Sequence, residues 1–407
     1  MKTVLERLLD YCSFDTQSDE TTGTHPSTAK QRKLAEHLAE ELRALKLENV
    51  RVTPECYVYA ELPATSGFEH ADALGFIAHM DTSDGASGAN VRPQIIKNWD
   101  GSPIRLGSSG LELNTTLYPF MKDLIGHTLV TTDGTTLLGA DDKAGIAEIM
   151  TALETVQTQK LPHGPLRIAF TPDEEIGEGP DFFDVPGFGA KYAYTIDGGA
   201  ANEIEFQNFN AAEAKIFIRG RSVHPGSAKG IMINALKVAA EFDAMLPPGE
   251  VPALTDGFQG FYHLMKCSGT VGSAELQYIL RDHDELAFNR RKNKIRGIAD
   301  TLNRKYGAGT VTAEVREQYR NMAEVIRKHP FLIDLAKNAI SDAGLTPAIV
   351  PIRGGTDGAR LSFMGLPCPN LGTGGYNFHG ESEFADVDGM ECAVKTILNL
   401  VKAFAER

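Results

Sequence analysis

The chain has 407 residues, beyond the size at which one hydrophobic core usually stops growing, so two domains are expected. Its 42% hydrophobic and 23% charged content is ordinary for a globular protein and speaks against disorder, while a formal net charge of −14 disfavours nucleic acid or an anionic membrane as partner. Five scattered cysteines form no CxxC pair, which argues against a disulfide framework and fits a reducing compartment.

In chain order, Val4, Leu5, Leu8 and Leu9 alternate with Glu6, Arg7 and Asp10 at the spacing of an amphipathic helix. No signal-peptide segment accompanies it, and no apolar run reaches the ~18 to 20 residues needed to cross a bilayer, so a cytoplasmic protein is expected. Leu34, Leu38, Leu42 and Leu45 predict a long helix over 28–45, with Ser27 or Thr28 as its cap. The stretch 85–116 is rich in Gly, Ser and Asn and reads as a long functional loop.

Short apolar runs at 73–78, 166–170 and 193–196 each end abruptly in polar residues: His79, Asp173-Glu174-Glu175 and Asp197. Their alternation with helical segments such as 144–156 predicts an α/β fold, a mostly parallel sheet flanked by helices. Ligands of such sheets gather at the carboxyl ends of the strands, where these polar residues fall. Between 209 and 321 the texture changes: period-2 strands at 214–219, 273–281 and 310–318 and helices at 233–246 and 288–306 predict an inserted α+β domain. Residues 322–407 return to the first pattern, with a helix over 323–344 and strands at 348–352 and 369–371. The first domain is therefore read as discontinuous, 1–208 with 322–407.

The chemistry lies at the strand ends. His79 and Asp81 are two apart and point to one side of their strand, so one can bind a metal while the other orients it. Asp141 and Asp142 stand just before a helix, where capping by either is the plain alternative to metal binding. Three consecutive acids at 173–175 repel one another unless a cation or proton lies between them. Asp197 is followed by two glycines, and the flexible stretch 372–380 delivers His379 late in the chain. Each element alone has an ordinary explanation, but five around one sheet read as a metal site.

The order His-x-Asp, Asp-Asp-Lys, Asp-Glu-Glu, Ile-Asp-Gly-Gly and a late His resembles the dinuclear zinc family of aminoacylases, carboxypeptidases and di- and tripeptidases, over almost the whole chain. Within it, the segments 25–28, 79–84, 353–358 and 373–380 look most like those of the aminotripeptidases. The resemblance implies two Zn2+ ions per subunit, His79 and Asp197 holding one, Glu175 and His379 the other, and Asp141 bridging them, four ligands each with a shared water. It further implies Asp81 as orienter, Glu174 as general base, a cis peptide between Asp141 and Asp142, and His224, in its own or a partner subunit, as donor to the oxyanion. Asn234, Arg281 and Arg353 lie in segments similar to the family's substrate contacts, although ordinary surface pairing explains the arginines equally well.

The inserted domain then becomes a lid and dimerisation domain, and a homodimer acting on tripeptides from the free N-terminus is expected. A dipeptidase, a carboxypeptidase or an N-acyl-amino-acid deacylase on the same site is the alternative. A binding protein without catalysis would not need Asp81 or Glu174, and no phosphate loop supports a phosphate-cleaving enzyme.

Overall fold

Leu74–His79, Leu166–Thr171 and Tyr192–Gly198 are almost wholly buried strands, as apolar runs must be when helices cover both faces of a sheet. They form the middle of an eight-stranded sheet in a computed structural model that describes residues 1–407. The chain divides into two compact units: Met1–Phe206 with Met322–Val350 and Thr356–Arg407, and Gln207–Asn321 with Pro351–Gly355.

In the first unit the strand order is Glu48–Val52, Val58–Leu62, Leu166–Thr171, Leu74–His79, Tyr192–Gly198, Asn370–Gly372, Glu203–Glu205, Ala348–Ile349. The four strands from Leu166–Thr171 to Asn370–Gly372 are mutually parallel. Val58–Leu62 joins one side of them antiparallel and Glu203–Glu205 the other, so the sheet is parallel at its centre and mixed at its margins. The helices Ala140–Thr158 and Val387–Ala405 pack on each other, and the former lies on the central strands. None of the helices is long and apolar enough to cross a membrane.

The amino-terminal helix is Val4–Tyr11, closed by a reciprocal capping box between Thr3 and Glu6. Its Arg7 is buried, and its guanidinium meets Glu41 and Glu154 at 2.8 Å each. The next helix is Gln31–Ala44 and has no side-chain cap; Ser27, expected to cap it, is bonded to Asp173 instead. The helix expected over 323–344 is two helices, Ala323–Ile326 and Phe331–Asp342, interrupted at Pro330, whose missing N–H and fixed φ favour a helix start.

The segment 85–116 is not a structureless loop. Gln94–Ile96 pairs with Leu129–Thr131 in a second, four-stranded antiparallel sheet that also holds Phe384–Asp386 and Gly375–Tyr376, and Ile104–Arg105 pairs with Glu112–Leu113. Trp99, Ile104, Leu106, Leu113, Met121, Leu124, Leu129 and Phe384 form a core of their own beneath it. Strands of two or three residues are too short for periodicity to announce.

The second unit is a four-stranded antiparallel sheet in the order Phe261–Gly269, Ser273–Asp282, Asn210–Arg219, Val311–Tyr319. The strand Phe261–Gly269 has no counterpart in the sequence reading: only its first residues are buried, so its alternation is weak. The helices Ala235–Ala244 and Glu285–Tyr306 cover one face, around Ile216, Phe242, Tyr278, Leu280, Ile295 and Leu302. The opposite face leaves Phe217 and Met265 exposed.

Candidate metal centre

The carboxyl ends of three parallel strands deliver His79, the acids at 173–175 and Asp197. The helix Ala140–Thr158 reaches the same place because Gly145 packs directly on the neighbouring strand. A Cβ there would lie 1.9 Å from the Ile196 carbonyl oxygen, so only glycine permits the approach. Gly85 does the same for the late loop, since its Cβ would lie 2.3 Å from the backbone oxygen of His379.

Asp141 stands at the middle. Its Oδ1 is 2.8 Å from His79 Nε2, and its Oδ2 is 3.0 Å from His379 Nε2. His79 Nε2 is also 3.3 Å from Asp197 Oδ1, and His379 Nε2 is 2.9 Å from Glu175 Oε2. The five residues thus form two groups, His79–Asp141–Asp197 and Asp141–Glu175–His379, each with one atom per residue lying within 4.8 Å of the others. The Asp141–Asp142 peptide is cis.

The electrostatics are those of a cation site. Burial opposes charge on His79, but Asp197, Asp141 and Asp81 outweigh it and hold its pKa well above the ordinary range. Bonds to Asp141 and Glu175 push His379 up to about 11. Burial raises Asp197, and it raises Glu175 to about 7, while the two imidazoles overcome the same burial to hold Asp141 low. Glu175 Oε1 is buried without a hydrogen-bond partner, an arrangement that costs free energy unless something else satisfies it. Two imidazoles, three carboxylates and an orphaned oxygen fit divalent metal, and the mixed N/O set suits zinc, cobalt or manganese.

The neighbouring acids have separate tasks. Asp81 is fully buried. Its backbone oxygen lies 3.1 Å and its Oδ1 3.4 Å from His79 Nδ1, while its carboxylate accepts the N–H groups of Glu174 at 3.0 Å and Glu175 at 3.2 Å. It therefore fixes one imidazole and the loop carrying the other group's carboxylate. Glu174 is half-buried, and burial, with Asp197 next, lifts its pKa well above normal. Asp173 faces away from the pair, accepting from Ser27 and from Gln31 Nε2 at 2.6 Å. Asp142 is the capping aspartate: its Oδ1 accepts from Gly145 N–H and its Oδ2 from His79 N–H.

Two buried acids had no place in the sequence reading of the site. Glu383 accepts three backbone N–H groups, from Leu138, Gly139 and Asp141, and Asp357 accepts from Thr171 Oγ1 at 2.7 Å. Burial raises both to about 7. Asp357 lies in the segment 353–358 already noted for its pattern. Glu383 could have been found only as a carboxylate four residues beyond a loop histidine.

The other sequence candidates belong to the second unit. His224 is exposed and accepts from Gly226 N–H through Nδ1. Asn234 caps the helix Ala235–Ala244, Oδ1 accepting from Leu236 N–H at 3.0 Å. Arg281 donates to the carbonyls of Ala212 and Leu280 and lies over the Tyr319 ring. Arg353 spends both terminal nitrogens on Gly257, Gln259 and Thr255, so a substrate carboxylate would have to displace those bonds.

Residues 127–403 match the model of peptidase family M20/M25/M40. Peptidase T of Clostridium perfringens is 52% identical over 408 residues, covering all of both chains. The crystal structure of aminopeptidase PepT from Bacillus cereus superposes with a TM-score of 0.79 at 22% identity, over 99% of this chain and 98% of that one. A Bacillus subtilis protein described as a dinuclear metal-binding peptidase of the M20 family has the same fold, with a TM-score of 0.64 at 15% identity over 99% and 98% of the two chains.

Proposed function

The chain belongs to peptidase family M20/M25/M40 and is a hydrolase of peptide bonds, and we propose that it is a two-zinc aminopeptidase releasing the N-terminal residue of tripeptides. One observation carries the metal reading: the two oxygens of Asp141 are divided between His79 and His379, the geometry of a bridging carboxylate. The tripeptide preference is carried by full-length likeness to proteins named Peptidase T.

When bound, a pair of metal ions lowers the pKa of a water towards neutrality and polarises the scissile carbonyl. The residues supply the rest. His79 and Asp197 would hold one ion and Glu175 and His379 the other, with Asp141 common to both. Asp81 holds the His79 imidazole in the tautomer that leaves Nε2 as the ligand atom. Glu174 takes a proton from the attacking water and returns it to the leaving amine, and the raised pKa of its half-buried carboxyl suits both halves of that task.

His224 is proposed as a donor to the developing oxyanion, and Asn234, Arg281 and Arg353 as substrate contacts; the resemblance in sequence supports these four. A homodimer is proposed through the second unit, whose edge strand Phe261–Gly269 exposes Met265 and most of its length, since an unpaired strand edge is a template for association.

Two substitutions test the division of labour. Glu174→Ala should keep the metal content of the parent and lose ~10²- to 10⁴-fold in kcat, whereas His379→Ala should lose metal. Metal analysis and peptide turnover on both decide it, and retained turnover in the Glu174 variant would sink the mechanism.

A further inference from the structure

Glu383 is 1% exposed, and its carboxylate is bonded to main-chain N–H groups. Its Oε2 accepts the N–H groups of Leu138 and Gly139 at 2.8 Å each, and its Oε1 accepts that of Asp141 at 3.0 Å. These donors precede the regular part of the helix, since Gly139 is left-handed and Asp141 and Asp142 have non-helical φ/ψ. Buried backbone N–H groups outside regular structure need a partner of their own, and the carboxylate supplies it.

The same short segment also carries His379. Glu383 N–H donates to the Gly380 carbonyl at 3.1 Å, and the chain then enters the strand Phe384–Asp386 of the second sheet. One turn therefore presents an imidazole to the Asp141 side chain and a carboxylate to the Asp141 main chain. We infer that Glu383 is a positioning residue for the metal centre, clamping residues 138–141 so that the Asp141 carboxylate faces His79 and His379 together. It sets metal affinity without being a ligand, and the inference rests on the metal reading given above.

Glu148 provides the contrast. It lies on the same helix, is fully buried, and has no partner for either oxygen. A general effect of buried acid on this helix would appear at Glu148 as well; a clamp would not.

The test is zinc titration of the metal-stripped full chain against a competing chelator, with thermal melting of the stripped protein alongside. Glu383→Gln keeps the size of the side chain and can leave its carbonyl oxygen on Leu138 and Gly139, while turning an N–H against the Asp141 N–H. The expected result is a stripped variant that still melts cooperatively and binds zinc ~10- to 100-fold more weakly, the usual cost of losing an outer partner of a metal ligand. Glu383→Asp, whose reach is shorter, should weaken zinc in the same direction and stands in if the glutamine variant does not fold. Glu148→Gln should leave zinc affinity unchanged. Parental zinc affinity in both Glu383 variants, or equal weakening in the Glu148 variant, overturns the inference. A parent chain that takes up no zinc overturns the metal reading itself and the inference with it.

Discussion

At the level of single residues, the site is a contest between burial and charge. Burial holds Glu175 and Glu383 up to about 7, against an ordinary 4.5. In the metal-free protein the folded state therefore binds more protons than the unfolded chain between those values, and its stability must fall as pH rises through that window. His379 extends the loss upward: its folded pKa of about 11 against 6.5 gives stability that is complete below 6.5 and gone once pH passes about 11. A metal ion held by Glu175 and His379 would take the place of the protons on those two residues. Thermal melts of chelator-treated protein should thus show declining stability from pH about 4.5 to about 7, flattened when metal is restored. A metal-free stability that rises through the window would contradict the placement of these acids.

Most of this site was legible because His79, Glu175 and Asp197 follow apolar runs, where a strand end leaves polar residues unexplained. In the pair Asp141-Asp142 one residue stands between His79 and His379 and the other caps the helix. Glu383 was not legible, because its partners are backbone N–H groups, which leave no residue signature. Asp173 was read with its neighbours as a cation-seeking acid, yet Ser27 and Gln31 satisfy it; those partners lie some hundred and forty residues away in the chain.

At the level of elements, period and length decided what could be read. The central strands and the long helices of both units announce themselves by burial on two faces or by a 3.6-residue repeat. The second sheet does not. Its strands are short, its turns are rich in Gly and Ser, and its core is assembled from Trp99, Leu113, Phe384 and other residues far apart in sequence. That core steadies the strand Phe384–Asp386, directly after the His379–Glu383 segment. Leu113 is fully buried there, so Leu113→Ala should cost ~2 to 5 kcal/mol by leaving a cavity. Trp99 is the only tryptophan, and its emission during urea unfolding reads the loss directly. An unchanged midpoint would mean that the segment 85–116 is a loop in substance, without a core.

At the level of the whole molecule, the alternatives within the family differ in what they demand of the substrate's ends. A deacylase accepts a blocked N-terminus, a carboxypeptidase needs a free C-terminus, and a dipeptidase tolerates only one peptide bond. Full-length identity to proteins named Peptidase T favours none of these over the tripeptide aminopeptidase. The most direct measurement is turnover of free and N-acetylated di-, tri- and tetrapeptides by the full chain, stripped with chelator and then titrated with zinc. The account predicts no turnover when stripped, recovery complete at two zinc ions per chain, and a preference for the free tripeptide with its N-terminal residue released. Undiminished cleavage in chelator, or recovery complete at a single ion, would contradict a dinuclear centre bridged by Asp141.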